Sequence, residues 1–416
     1  MKTARVIGCV VLAGTTAAFG ADDWLDRIDD ALTTTAWHDD IRARLSGSVD
    51  LESYQFQQPA PGLIFADGHN LFSPRLTLFL DAQLGPLIYV FGQARADRGF
   101  DPHDIGTRLQ LDEYAFRFTP WSDGRVNLQI GKFATVVGNW VPRHHSWENP
   151  FITAPLPYEN LTGIFDAVAA PSADVLLVWA HAGPAAYRVS TYTDRYARVP
   201  VIWGPSYTSG AAISGVIGRV DYAFELKNAS LSSRPETWDV AQSQWQHPTV
   251  SGRLGYRPNE MWNLGFSAST GAYLRASAQR TLAAGHDLDD YREIVLGQDL
   301  SFAWHHLQLW AECYETRFEI PLVGNVDTLA YYVEAKYKLT PQFFGALRWN
   351  RQVFGTVRDS DDGLVRWGSN VWRIDVGPSY RFTPHTEFKL QYSLQHDDIG
   401  PRDYSHLFAV QFVMRF

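Results

Sequence analysis

From Ile41 onward the chain alternates. Ile41, Ala43, Leu45, Gly47, Val49 and Leu51 share one parity; Arg42, Arg44, Ser46, Ser48, Asp50 and Glu52 share the other. A period of two places the sets on opposite faces of an extended strand. The scheme recurs. Leu76, Leu78 and Leu80 oppose Arg75, Thr77, Phe79 and Asp81, and Ile88, Val90 and Gly92 oppose Tyr89, Phe91, Gln93 and Arg95. Near the end, Trp372, Ile374, Val376, Pro378, Tyr380 and Phe382 oppose Arg373, Asp375, Gly377, Ser379 and Arg381. In the last segment, SHLFAVQFVMRF, Phe408, Val410, Phe412, Met414 and Phe416 alternate with Leu407, Ala409, Gln411, Val413 and Arg415. The polar parity carries both signs of charge on most strands, as a wet interior with lipid outside requires. A soluble β-sandwich or solenoid would also alternate. Strand length and aromatic placement favour a transmembrane antiparallel β-barrel over residues 41–416.

Turns orient that barrel. Phe118-Thr119-Pro120, Tyr256-Arg257-Pro258, Leu339-Thr340-Pro341 and Phe382-Thr383-Pro384 each close a strand, because proline cannot donate to the ladder. An aromatic before the turn suits an interfacial girdle. Short turns belong on the periplasmic side, so an even number of strands separates each pair. Four strands fit between Pro258 and Pro341, two between Pro341 and Pro384, and two more reach Phe416. Between Pro120 and Tyr256 the candidates are 124–133, 161–169, 174–182, 186–193, 213–228 and 247–257. All six give about 18 strands, the preferred count; dropping two gives about 16. Stretches around 55–72, 134–160, 228–246, 275–291 and 354–370 read as loops.

The first twenty residues, MKTARVIGCVVLAGTTAAFG, have Lys2 and Arg5, an apolar run and small residues up to Gly20. This is the layout of a secretory signal, 1–20, excluded from the fold. Residues 21–40 place Trp24, Leu25, Ile28 and Leu32 on one helical face among five aspartates. This periplasmic leader reads either as a short amphipathic helix, in the periplasm or pushed into the barrel mouth, or as a frayed end. No other segment approaches eighteen consecutive apolar residues, so a helical span is not expected. The formal charge of −9 becomes more acidic once Lys2 and Arg5 leave, which argues against a nucleic-acid partner. One thiol, Cys313, follows the signal, so no intramolecular disulfide is expected.

The aromatic-ended final strand, joined to an export signal and many alternating strands, resembles the closing strand of Gram-negative outer-membrane proteins. That resemblance implies the cell outer membrane, with its lipids and a barrel assembly machinery that reads Phe416. The segment GKFATVVGNWVPRHHSWENPFITAPLPYENLTG follows a strand ending Gly131-Lys132-Phe133 and is stiffened by Pro150, Pro155 and Pro157. Its apolar content suits a loop folded inward against the wall. Here the chain resembles general porins and, more loosely, the phosphate-selective porin group, although that group's lysine-rich loops are missing. The resemblance leaves a homotrimer open.

Lys132, Arg143, His144, Glu148 and Tyr158, with the inward-parity Arg95, Glu113, Arg117, Arg348 and Arg373, are the candidate constriction and lumen residues. Inward charges mostly pair across strands; a subset at the constriction would set a transverse field. The near balance of signs predicts weak charge selectivity. Trp310, Tyr314 and Phe91 either form a greasy track for sugars or pack the inserted loop. His144-His145 with Glu148 is a weak metal spacing, and neither a metal nor a cofactor is expected. The reading is passive or weakly selective diffusion of small hydrophilic solutes or ions. Its alternatives are an anion, phosphate or sugar channel and a plugged structural or adhesion barrel. An outer-membrane enzyme is disfavoured, since no nucleophile–His–acid set or Gly-x-Ser-x-Gly elbow appears.

Overall fold

The computed structural model describes residues 24–416 apart from 37–39, 59, 65, 67, 103–105, 182–196, 240–244 and 399–402. The signal segment and the candidate strand 186–193 lie outside the described residues. Sixteen strands form a closed barrel. The first eight are β1 Ile41–Phe56, β2 Asn70–Leu84, β3 Ile88–Asp97, β4 Arg108–Phe118, β5 Asn127–Phe133, β6 Thr208–Ile217, β7 Val220–Lys227 and β8 Thr249–Tyr256. The rest are β9 Trp262–Ala272, β10 Arg292–Trp304, β11 Leu307–Ile320, β12 Gly324–Lys338, β13 Phe343–Phe354, β14 Val371–Thr383, β15 Thr386–Asp397 and β16 Tyr404–Arg415. Each pairs antiparallel with the next, and β16 returns to β1 through Leu407↔Phe56 to Arg415↔Ser48. Closure joins every strand to two neighbours and removes the sheet edge, which a lipid environment demands.

The four Pro turns all lie on one rim, after β4, β8, β12 and β14, together with the tight turns at 85–87, 218–219 and 305–306. Long connections gather on the other rim. Ahead of β1, a helix spans Trp24–Ala31 and a short strand, Thr33–Ala36, pairs with Ile41 to Arg44. That strand continues the column that Phe416 ends against Gly47.

The preferred count of 18 gives way to 16. Residues 161–169 are irregular apart from one bridge, Phe165↔Arg198, and Ala173–His181 is a helix. Residues 213–228 are not one strand but parts of β6 and β7, folded at Gly218. Alternation fails as a guide over 161–181 because these residues lie off the wall and have no lipid-facing row to alternate with. ADVLLVWAH is apolar without a polar row, and a short apolar run reads equally as strand or buried helix.

The facing rule holds. Leu51, Leu80, Ile130, Phe224, Val333, Leu347 and Phe408 are exposed on the outer surface. Asp50, Arg95, Glu225, Glu312, Arg348 and Lys389 are enclosed within. Tyr256, Trp304, Tyr337 and Phe382 stand exposed near the short-turn rim, an interfacial aromatic row.

Candidate functional site

The chain between β5 and β6 leaves the wall and fills the barrel. An irregular segment buried in this way carries N–H and C=O groups with no ladder to join, and each needs a partner. On one side the wall offers carboxylates. Glu113 accepts from the Ala134 N–H at 2.8 Å. Glu225 accepts from the Thr135 hydroxyl at 2.6 Å and the Val136 N–H at 3.2 Å. Glu312 accepts from the N–H groups of Asn139 and Trp140, the latter at 2.8 Å, and from the Tyr158 hydroxyl at 2.7 Å. Glu293 holds the next loop alike, through the N–H groups of Leu231 at 2.7 Å and Ser232 at 3.3 Å.

On the other side the wall offers cations. Arg348 donates to the Thr153 carbonyl at 3.0 Å and the Ala154 carbonyl at 3.3 Å. Arg373 donates to the Ala154 carbonyl at 2.5 Å and pairs with Glu159. Lys389 donates to the carbonyls of Ser146 and Asn149, the latter at 2.6 Å. Hydrogen bonds with one ionised partner are roughly twice as strong as neutral ones. Gly138 makes the approach to the wall feasible: at φ +79° its α-carbon faces the Tyr314 and Tyr158 hydroxyls, and any Cβ would collide with them.

Along β1–β3 the inserted chain touches the wall at Ser146, whose hydroxyl bonds Asp50 and Arg75, and at His145, edge-on to Phe79, and leaves a space beside these contacts. A cavity of about 190 Å³ extends from Ser48 on one side to Phe100 on the other. Asp50, Glu52, Arg75, Arg95, His144 and His145 contribute to its lining. Arg75 pairs with Asp50 at 2.9 Å and with Glu52; Arg95 pairs with Asp97 and with Asp112 at 2.5 Å. Burial holds the His144 imidazole well below its ordinary range, and His145 beside it adds to the shift. Burial, then Arg75 and Arg95, brings His145 down to about 4. Both rings are therefore neutral near pH 7.

Of the candidate residues, Arg95, His144 and Tyr158 line the cavity. Arg143 does not face it. Its guanidinium bonds Glu334 at 2.5 Å and the Tyr332 hydroxyl at 3.0 Å, and lies 4.3 Å over Trp310, fixing the inserted chain to β11 and β12. Glu113, Arg348 and Arg373 are anchors, as above. Arg117 bonds Gln129 and stands by the rings of Tyr89 and Phe91. Glu148 is exposed. Lys132 is a correction: it shares the outer row with Leu128 and Ile130, where its Nζ bonds the Leu111 carbonyl at 2.8 Å and Asp239 at 3.2 Å. The outward Tyr114 reaches the same Asp239. The greasy track is also not formed. Tyr314 bonds Tyr158, Trp310 is covered by Arg143, and Phe91 stacks on Tyr89.

Solved structures share this architecture. The anion-selective porin of Comamonas acidovorans superposes with a TM-score of 0.54 at 12% identity, covering 90% of this chain and 100% of that one. The outer membrane channel DcaP of Acinetobacter baumannii gives 0.52 at 11% identity over 92% and 99%. OmpT, an outer membrane protein of Vibrio cholerae solved in trimer form, gives 0.54 at 8% over 91% and 100%. The chain has the porin-like barrel fold. No protein-family model and no curated protein matches it by sequence.

Two features of this porin-like barrel escape period-two reasoning. Asp112 and Glu113 are adjacent, yet both reach inward, Asp112 to Arg95 and Glu113 to Ala134. A bulge opposite Gln93 and Ala94 admits the extra residue and resets the parity. The signal for Asp112 was available in the polar pair itself, because a lone lipid-facing aspartate would be costly. Glu225 and Glu293 lie on regular inward rows; only the tertiary position of the inserted chain shows that they hold it.

Proposed function

We propose that the chain is an outer-membrane porin, a passive channel for small hydrophilic solutes whose path runs between the inserted chain and β1–β3. The observation that carries this reading is the uneven anchoring: buried ionic bonds tie the insert to β4, β7 and β11–β15, while a polar-lined cavity lies along β1–β3. Field strength there is low, because Asp50, Glu52 and Asp97 each face a guanidinium. Weak charge selectivity follows. Under this reading the protein is not an enzyme and uses no cofactor. It sits in lipid through its outer apolar rows, and Phe416 is the residue an assembly machinery reads. A homotrimer is in keeping with the trimer form of the Vibrio cholerae protein.

Planar-bilayer recording in asymmetric salt tests it. Discrete current steps with a small reversal potential are expected; folded protein that never conducts would remove the channel. The rival reading, a plugged structural barrel, is favoured by one observation, the complete burial of Val201, Ile202 and Trp203 in the insert. The same recording decides between them.

A further inference from the structure

The mouth at the short-turn rim holds inward cations that the ion pairs of the wall do not absorb. Lys336 and Lys338 of β12, Arg381 of β14, Lys389 of β15 and Arg415 of β16 all lie on inward rows near this rim. Two rings gather them. Arg381 lies 4.6 Å and Arg415 4.0 Å over the ring of Trp147, which the insert brings into this mouth. Lys336 stands 3.9 Å over Phe344 of β13. Carboxylates are scarce here. Glu387 takes Arg381 at 2.6 Å and Lys389 at 3.6 Å, and Lys389 is also held by the Ser146 and Asn149 carbonyls. Glu148, next to Trp147, acts on Arg381, Lys389 and Arg415 but makes no ion pair among the described residues. Lys336, Lys338 and Arg415 likewise have no carboxylate at ion-pair distance among the described residues. Elsewhere on the inner wall Arg75, Arg95, Arg253, Arg348 and Arg373 each hold an acid.

Like charges gathered in this way repel one another. Lys336 meets the fields of Arg381, Lys389 and Lys338 together, and Arg415 those of Arg381 and Arg44. A mouth lined by one sign of charge concentrates counter-ions, and an anion among these groups relieves their repulsion. The groups that meet it are open to solvent. Lys338 and Arg415 are exposed, and Arg381 keeps 31% of its side chain accessible. Chemistry narrows the anion. A guanidinium presents a planar fork that matches the paired oxygens of a carboxylate or phosphate, and two such forks share the Trp147 indole. We infer that this mouth is a binding site for a small oxyanion, a phosphate or a carboxylate, held by Arg381 and Arg415 with Lys336 and Lys338 beside them. Glu148 is the neighbouring carboxylate that opposes it. The site lies outside the paired charges of the cavity along β1–β3, and occupancy does not depend on conduction.

The test titrates sodium phosphate against the folded full chain at constant ionic strength, by tryptophan fluorescence in detergent and by block of bilayer current. Saturable responses in both are expected, and sodium acetate in parallel tells which oxyanion is preferred. Arg415→Gln weakens phosphate binding about tenfold, the loss of one hydrogen bond between charged partners. Glu148→Gln removes the opposing charge and tightens binding about threefold. Trp147→Phe keeps a ring under both guanidinium groups, so the fluorescence response disappears while the block persists. Arg125→Gln, on the same rim in the turn after β4, loses the same charge and leaves the affinity unchanged. A response that sodium chloride reproduces, no saturation by either oxyanion, or an affinity indifferent to both Arg415→Gln and Glu148→Gln would overturn the assignment. Binding in detergent without conduction keeps the site and removes the channel; conduction without oxyanion binding keeps the channel and removes the site.

Discussion

The two sides of the barrel hold the inserted chain by opposite chemistry. On β4, β7 and β11, glutamates accept from its N–H groups; on β13, β14 and β15, arginines and a lysine donate to its carbonyls. In the third region, β1–β3, the charges pair with one another and with Asp112 of β4, and the insert meets them through the Ser146 hydroxyl, which bonds Asp50 and Arg75 rather than offering them backbone. A wall charge thus has two available partners, the backbone of the insert or another wall charge. Where it takes the first, the interior is closed; where it takes the second, a cavity persists. Counting inward charges therefore says little about the field a solute meets.

The largest effect should come from breaking the acid side. Glu312→Ala leaves two N–H groups and the Tyr158 hydroxyl without their acceptor. We expect a loss of about 3–5 kcal/mol in denaturant unfolding, with larger current steps as the insert detaches. Glu312→Gln keeps an acceptor and should lose less. On the basic side, Arg348→Met removes donors to Thr153 and Ala154 but leaves Arg143 on Glu334 and Arg373 on Asp375. A smaller loss, about 2–3 kcal/mol by the same measurement, is expected.

A pH effect sharpens the contrast with the cavity side. The unfolded chain protonates His145 as pH falls through 6.5, whereas the folded protein resists until about 4. Between those values the unfolded state binds more protons, so stability falls as pH drops. His145→Gln should flatten part of that slope in unfolding midpoints measured from pH 7 to 4. The smallest effect belongs to the rim. Asp123→Asn removes an exposed pair with Arg125 in the turn after β4, and should leave unfolding and conductance unchanged.

Much of this architecture is legible in the residues. Leu76-Thr77-Leu78 and Phe408-Ala409-Val410 announce two-faced strands, and Pro120, Pro258, Pro341 and Pro384 place one rim. The inward loop is signalled by Trp140, Trp147 and the prolines Pro150, Pro155 and Pro157 in one connection. What is not legible depends on the third dimension. Ala173–His181 buries Leu176, Leu177 and Trp179 yet exposes another apolar residue, Val178, so no polar row marks it as helix. Lys132 shares the parity of Leu128 and Ile130, so the strand itself points it outward; the partner that makes this tolerable, Asp239 of a distant loop, is what the sequence hides. Arg348 reads as a pore charge until the backbone it holds is in place, and Arg143 until Glu334 of β12 is seen to take it.

Thiol accessibility tests the open wall against the gripped one most directly. In a Cys313→Ser background, cysteine is placed at Ser73, on the cavity along β1–β3, or at Ser269, buried on the inner row of β9. A small charged thiol reagent is then applied during bilayer recording. The account predicts that current falls for Ser73→Cys and holds steady for Ser269→Cys. Steady current with the first, or an equal fall with both, would contradict it.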